Sequence, residues 1–203
     1  MSRRTVWDVF SPVYDLAETV YNRDVYKTTG ERAAEYIGPG DRVLECACGT
    51  GEISIWLARK CRHLTATDMS DGMLRRAGRK LRNCYNVKLA RADIMHIKCP
   101  DGSFDKVVAG NVIHLLDDPE GAVNELRRVC RRGGKIIIPT YINDSKTSSR
   151  IAVKLLGKLG VKFHREFDID SYRKFFSEIG YPDAEFTVVD GRMPCALAVI
   201  TNK

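Results

Sequence analysis

No apolar run in the 203 residues approaches the roughly 20 that a helix needs to cross a bilayer. The opening stretch, MSRRTVWDVFSPVYD, carries basic side chains but lacks the apolar core of a secretory signal. A disulfide framework is missing too. The seven cysteines are odd in number and scattered across the expected strands and helices, which implies reduced thiols and a cytoplasmic location. The only close pair is Cys46 and Cys48, with one residue between them, too few for a zinc ribbon. His63, His96 and His164 share no metal-ligand spacing, so no metal site is expected. Thiol redox or arsenic chemistry at the cysteine pair stays a secondary reading. The chain also lacks internal repeats, low-complexity tracts and long linkers.

What is present fits one globular domain with a sizeable core: 44% of the residues are hydrophobic and 29% charged. The net charge of +7 permits an anionic small molecule, nucleic acid or an anionic membrane surface as partner. The basic clusters Arg75-Arg76, Arg79-Lys80-Arg82, Arg127-Arg128 and Arg131-Arg132 lie towards the ends of expected helices. There they complement the helix dipole and read as solvated faces. No interleaving of aromatic and basic residues suggests a single-strand platform, which speaks against nucleic acid. A membrane surface is allowed but not indicated, and the oligomeric state is open.

Periodicity gives the order of elements. Ser11-Pro12 caps a first helix with Val13, Leu16, Ala17 and Val20 on one face and Tyr14 and Tyr21 beside it. A second helix is expected from Val25 to Ile37, stopped by Gly38-Pro39. Strands are expected to begin at Val43 and to cover His63–Ser70, Asn86–Ala92, Phe104–Gly110 and Lys135–Pro139. Between them lie helices at Gly51–Lys60, after Ser70 (Met73, Leu74, Ala77, Leu81 inward), and from Asp118-Pro119 to Arg131-Arg132-Gly133. A helix from Asp170 to Ile179 and two strands, Ala184–Val189 and Cys195–Thr201, complete the chain. A strand–helix series ending in a hairpin implies an α/β fold, a mostly parallel sheet with one antiparallel strand.

The chain is organised around Val43–Ser54, VLECACGTGEIS: a strand ending in an acid, a glycine turn, then a helix. Such a turn brings backbone close to a ligand and aims helix-start N–H groups at it. The dinucleotide fingerprint G-x-G-x-x-G is not met, because Ser54 stands in the third glycine's place and Glu52 brings negative charge where a phosphate would sit. The stretch resembles motif I of class I S-adenosylmethionine-dependent methyltransferases, an acid followed by G-x-G-x-G, with Glu45, Ala47, Gly49 and Gly51 on those four positions. Ala47 replaces the usual first glycine. An ordinary negative φ is expected there, with Gly49 or Gly51 taking any positive φ. The order of elements is similar to the seven-stranded Rossmann-like fold of that family, with helices on both faces. The resemblance divides the chain into 1–40, N-terminal helices and lid; 41–142, cofactor core; 143–168, a variable substrate-side insertion; and 169–203, the C-terminal helix and hairpin.

The resemblance implies S-adenosylmethionine as cofactor, S-adenosylhomocysteine as product, and roles for the residues ending four successive strands. Asp68 takes the ribose acid's place and Asp93 that of the acid receiving the adenine amine. Glu45 and Asn111 lie at the methionine end. Cys48 and Thr50 belong to the turn, and Met69, Met73, Ile94 and Val112 flank the adenine. His114, just past the fourth strand, is either a base or substrate ligand, or a residue packed over the cofactor. Tyr14, Tyr21, Tyr26 and Tyr141 are lid or substrate candidates; Tyr141 equally well just follows the fifth strand. The N/D-P-P-Y/F signature of nucleic-acid amino-methyltransferases is absent, and D-D-P-E at 117–120 reads as a helix start. The expected activity is methyl transfer to a small molecule by in-line displacement. The alternatives are a phospholipid head-group or RNA methyltransferase, or a non-catalytic module that binds adenosylmethionine.

Overall fold

The computed structural model describes residues 22–143 and 164–203. The expected helix with Tyr14 and Tyr21, and most of the insertion expected at 143–168, lie outside the described residues. The elements are α1 (Arg23–Ala34), β1 (Arg42–Cys46), α2 (Ser54–Ala58), β2 (His63–Asp68), α3 (Asp71–Lys80), β3 (Val87–Arg91) and β4 (Phe104–Ala109). A 3₁₀ turn at Ile113–Leu115, α4 (Pro119–Val129), β5 (Cys130–Tyr141), α5 (Ile169–Glu178), β6 (Glu185–Val189) and β7 (Cys195–Thr201) follow.

The seven strands form one sheet in the order β3-β2-β1-β4-β5-β7-β6. Only β7 runs against its neighbours β5 and β6. The middle strands are continuous apolar runs because both faces are covered. On one face Val107, Ile136 and Ile138 pack with Leu126 of α4 and Tyr172 and Phe176 of α5. On the other, Val43, Val108 and Ile137 pack with Ala33 of α1, Leu57 of α2 and Ala77 of α3. Each fully buried aliphatic or aromatic side chain contributes about 1.5–3 kcal/mol. Tyr172 keeps its hydroxyl satisfied in this core by donating to the Ile138 carbonyl at 2.8 Å.

Local chemistry sets the helix starts. Ser70 Oγ accepts from the Met73 N–H at 3.2 Å, and Asp118 Oδ1 from Gly121 N–H at 2.8 Å, with Pro119 opening α4. Asp168 and Ser171 form a reciprocal capping box, so α5 begins one residue before Asp170. Other boundaries shift for physical reasons. The helix expected over Gly51–Lys60 shrinks to α2, because the glycine turn consumes its first residues. The helix expected to reach Gly133 ends at Val129, and Cys130 is already extended. Asn202 explains that stop: its Nδ2 donates to the carbonyls of Arg127 at 3.1 Å and Cys130 at 2.7 Å, taking up acceptors the helix end leaves open.

Strands β1 and β4 are adjacent, yet the connection from β1 goes to β2 on one side and that from β4 to β5 on the other. This reversal opens a crevice at their carboxyl ends.

Candidate active site

The crevice is floored by the turn after β1. Its residues Ala47, Gly49 and Gly51 all have positive φ, at 53°, 55° and 88°. The negative φ expected for Ala47 is therefore wrong. The turn is pinned from both sides, by Cys48 N–H on the Thr67 carbonyl and Gly51 N–H on the Cys48 carbonyl, each at 2.9 Å. Those bonds hold position 47 in the left-handed region whatever its side chain, at a cost of about 1–2 kcal/mol. The two glycines serve different needs. A Cβ on Gly49 would point into open space, along the crevice that Gly49 lines. A Cβ on Gly51 would press on Ala77 and Leu81 at 3.4–3.5 Å, so Gly51 turns away from the crevice and lets α3 approach.

Glu45 is 2% exposed at the end of β1 and accepts from the Ser54 hydroxyl at 2.5 Å. Burial raises its pKa from 4.5 to about 8; the Ser54 bond opposes this and the Asp68 charge adds to it. The sequence marks Ser54 only as the residue in the third glycine's place, not as part of the site. The place where a dinucleotide turn has its third glycine is used here to hold Glu45. Glu52 is likewise neutralised, by an ion pair with Lys80, whose ammonium also reaches Thr50 Oγ1 at 3.4 Å. The charge of Glu52 is thus a weaker objection to phosphate than the sequence suggested, while the missing glycine stands.

Opposite Glu45, Asn111 follows β4 with φ at 54°, its N–H on the Pro139 carbonyl at 2.8 Å. Its Oδ1 is buried and accepts no hydrogen bond within the structure. A buried acceptor left open costs about 1–3 kcal/mol, which a donor from a ligand would recover. Glu45, Ala47, Cys48, Gly49, Thr50 and Asn111 line one small cleft with Tyr26, Ile53 and Gly110. Tyr26 comes from α1 and stands edge-on to Tyr141, ring centres 5.7 Å apart; Tyr141 in turn faces His114 at 6.4 Å. Three elements remote in sequence thus form one row of rings, which reaches the cleft at Tyr26. His114 is buried, and burial lowers its pKa to about 4, so its imidazole is neutral at pH 7.

Asp68 is held behind the turn, one oxygen receiving Gly49 N–H at 2.9 Å and the other Ser70 N–H at 2.8 Å. Asp93 lies further along the rim, its Oδ1 receiving Met95 N–H at 2.9 Å. Met69 is exposed on that rim, whereas Met73, Ile94 and Val112 are buried beneath it. The thiols of the cysteine pair are buried; desolvation pushes Cys46 up to about 12 and Cys48 well above 9, which leaves neither a nucleophile. Among the described residues no group of His, Cys, Asp and Glu could hold a metal. A larger cleft, lined by Asn124, Arg127, Tyr181 and Lys203, lies at the amino end of the strands, away from the glycine turn and the buried acid.

Comparison with known proteins agrees with this geometry. A methyltransferase domain family matches residues 44–138. A phosphatidylethanolamine N-methyltransferase of Cereibacter sphaeroides is 34% identical over 143 residues, covering 68% of this chain and 70% of that protein. A demethylmenaquinone methyltransferase of Clavibacter sepedonicus is 33% identical over 136 residues, which span 66% of this chain and 55% of the relative's length. The crystal structure of a SAM-dependent methyltransferase from Thermotoga maritima superposes with a TM-score of 0.72 at 21% identity, covering 98% of this chain and 100% of the other. The glycine turn between a buried acid and a switch-point crevice, the seven-stranded sheet and these relatives agree: the chain belongs to the class I S-adenosylmethionine-dependent methyltransferases.

Proposed function

We propose that this methyltransferase acts on a small acceptor with a flat ring, and that Tyr26, Tyr141 and His114 form the wall against which the ring rests. The supporting observation is that these three side chains, from α1, β5 and the 3₁₀ turn, pack ring to ring, with Tyr26 at the cleft. Aromatic faces and edges gain about 0.5–1.5 kcal/mol from a ring in contact beyond simple burial. The name of the Clavibacter relative gives a quinone-type acceptor, which suits such a wall. A phospholipid amine, as in the name of the Cereibacter relative, is the second reading, since an ammonium also settles on aromatic faces.

S-Adenosylmethionine supplies the methyl group on a sulfonium, so the chain's own residues bind, orient and exclude water. Glu45 and Asn111 Oδ1 are assigned to the methionine end, where a buried acid and an open acceptor meet a cationic group. Asp68 is assigned to the ribose hydroxyls; its bonds to Gly49 and Ser70 N–H set the carboxylate plane at the rim. Asp93 is assigned to the adenine amine, with Met69, Met73, Ile94 and Val112 around the base. Cys48, Thr50 and Gly51 keep the turn in shape.

His114 is assigned to the wall rather than to proton removal. With its pKa near 4, taking a proton from a phenol-like group of pKa near 10 would be uphill by about 8 kcal/mol. In our reading an acceptor must therefore lose its proton to solvent, or after transfer.

Two measurements test this. Asp68→Asn removes the charge and one of the two acceptors that hold Gly49 and Ser70 N–H, and adenosylhomocysteine affinity measured by calorimetry should fall by about 2–3 kcal/mol. A screen with methyl-labelled cofactor should show transfer to naphthol- or quinol-type acceptors, reduced at least tenfold by Tyr141→Ala, whose ring stands behind Tyr26 and outside the cofactor cleft, with cofactor affinity kept. Transfer to phosphatidylethanolamine alone would select the second reading.

A further inference from the structure

Positive charge is not spread over this molecule. Residues 59–91 hold ten of its 33 lysines and arginines and two of its 26 acids; elsewhere the two signs balance to within one charge. Arg75 and Arg79 stand one turn apart on the outer face of α3, and Arg82 follows in the next loop. Only Arg79 and Lys80 fall in the last turn, where the helix dipole alone would account for them. Lys88 and Arg91 are exposed on β3, the edge strand of the sheet.

Asn86 makes the patch continuous. Its Nδ2 donates to the carbonyls of Ala58 at 2.9 Å and Cys61 at 3.0 Å, drawing the loop with Arg82 against the turn with Arg59, Lys60 and Arg62. Tyr85, 99% exposed, stands at the tip of that loop. Of the two acids, Asp68 is buried and Asp71 is met by Arg91 at 3.4 Å; Lys80 is taken up by Glu52, from outside this stretch. The flank runs the length of β3, from Lys88 at its amino end to Arg91 beside the carboxyl rim where the cleft opens.

We propose that this flank seats the protein on an anionic lipid bilayer, strands lying along the surface and the cleft opening at the membrane's edge. Among the described residues no helix is long and apolar enough to cross a membrane, so attachment is peripheral. A single exposed tyrosine at an interfacial loop suits head groups, whereas a polynucleotide would call for aromatics set among the arginines. The choice of lipid over RNA rests in part on the acceptor reading above, since the acceptors in the relatives' names are lipids.

The test is co-sedimentation with vesicles, no acceptor present. The protein should pellet with vesicles containing about one third phosphatidylglycerol, stay in solution with pure phosphatidylcholine, and be released by salt. Each basic side chain near such a surface is worth about a fivefold factor in partition, so R75E/R79E/R82E should lower it at least ~100-fold. The melting temperature and adenosylhomocysteine affinity should stay at the parent values. R62E/K88E, on other elements, should act in the same direction. Equal binding to both vesicles, no binding, or binding that neither variant weakens overturns the proposal. So does RNA binding with a steep salt slope in a protein that ignores vesicles. A protein that binds vesicles but methylates no ring acceptor would sink the acceptor reading and leave this one standing.

Discussion

Ala47 shows how a single residue is decided by its surroundings. Its left-handed φ costs about 1–2 kcal/mol, while glycine there would give back roughly 0.5–1 kcal/mol through the freer unfolded chain. Ala47→Gly should therefore be neutral or stabilising by up to about 1 kcal/mol, against the loss usual for such a change. Ala47→Val should destabilise by more than 2 kcal/mol, as β-branching worsens the strain. Urea unfolding midpoints of the two variants are the check. The strain was not legible in the sequence. What made it was a pair of backbone bonds, one of them to Thr67 on the neighbouring strand, that no local pattern announces. The acids ending the strands were legible, because a carboxylate after an apolar run is visible wherever the strand itself is.

At the scale of elements, the central strands and amphipathic helices could be read directly, since burial on two faces leaves unbroken runs such as Ile136–Ile138. Helix ends were read less well wherever the capping group comes from afar. Asn202 stops α4 from the other end of the chain, and its spacing from Val129 carries no signal. Asn202→Ala should leave the Cys130 carbonyl buried without its donor and destabilise the protein by about 2–3 kcal/mol, which equilibrium urea unfolding would register. Asp168, by contrast, caps α5 through a box with Ser171 only three residues away. That pattern was within reach of the sequence.

At the scale of the whole molecule, two buried groups pull stability in opposite directions with pH. In the folded chain Glu45 holds its proton up to about 8, against 4.5 in the unfolded chain, so its contribution is complete below 4.5 and is lost as pH rises through 8. His114 has a folded pKa near 4 against 6.5, so its contribution is complete above 6.5 and is lost as pH falls towards 4. Between 4.5 and 6.5 the two slopes, about 1.4 kcal/mol per pH unit each, cancel. Without cofactor the protein should show a plateau there, then lose about 2 kcal/mol between pH 6.5 and 8. Glu45→Gln should flatten that upper limb and leave stability rising from pH 4 to 6.5, whereas His114→Gln should replace the plateau by a fall that runs from pH 4.5 to 8. Denaturant midpoints across pH 4–9 would show a bare monotonic curve if these assignments are wrong.

Of the seven strands, the one latest in this sequence does not lie at the edge of the sheet. β7 sits between β5 and β6 and pairs with the full length of Lys135–Tyr141. A ribosome must therefore release residues 195–201 before the open edge of β5, with its three isoleucines, can be covered. Until then the nascent chain presents an apolar strand edge to every neighbour in the polysome. Slow translation of residues 195–201, or a premature stop among them, would first reveal itself as insoluble protein, ahead of any change in catalysis.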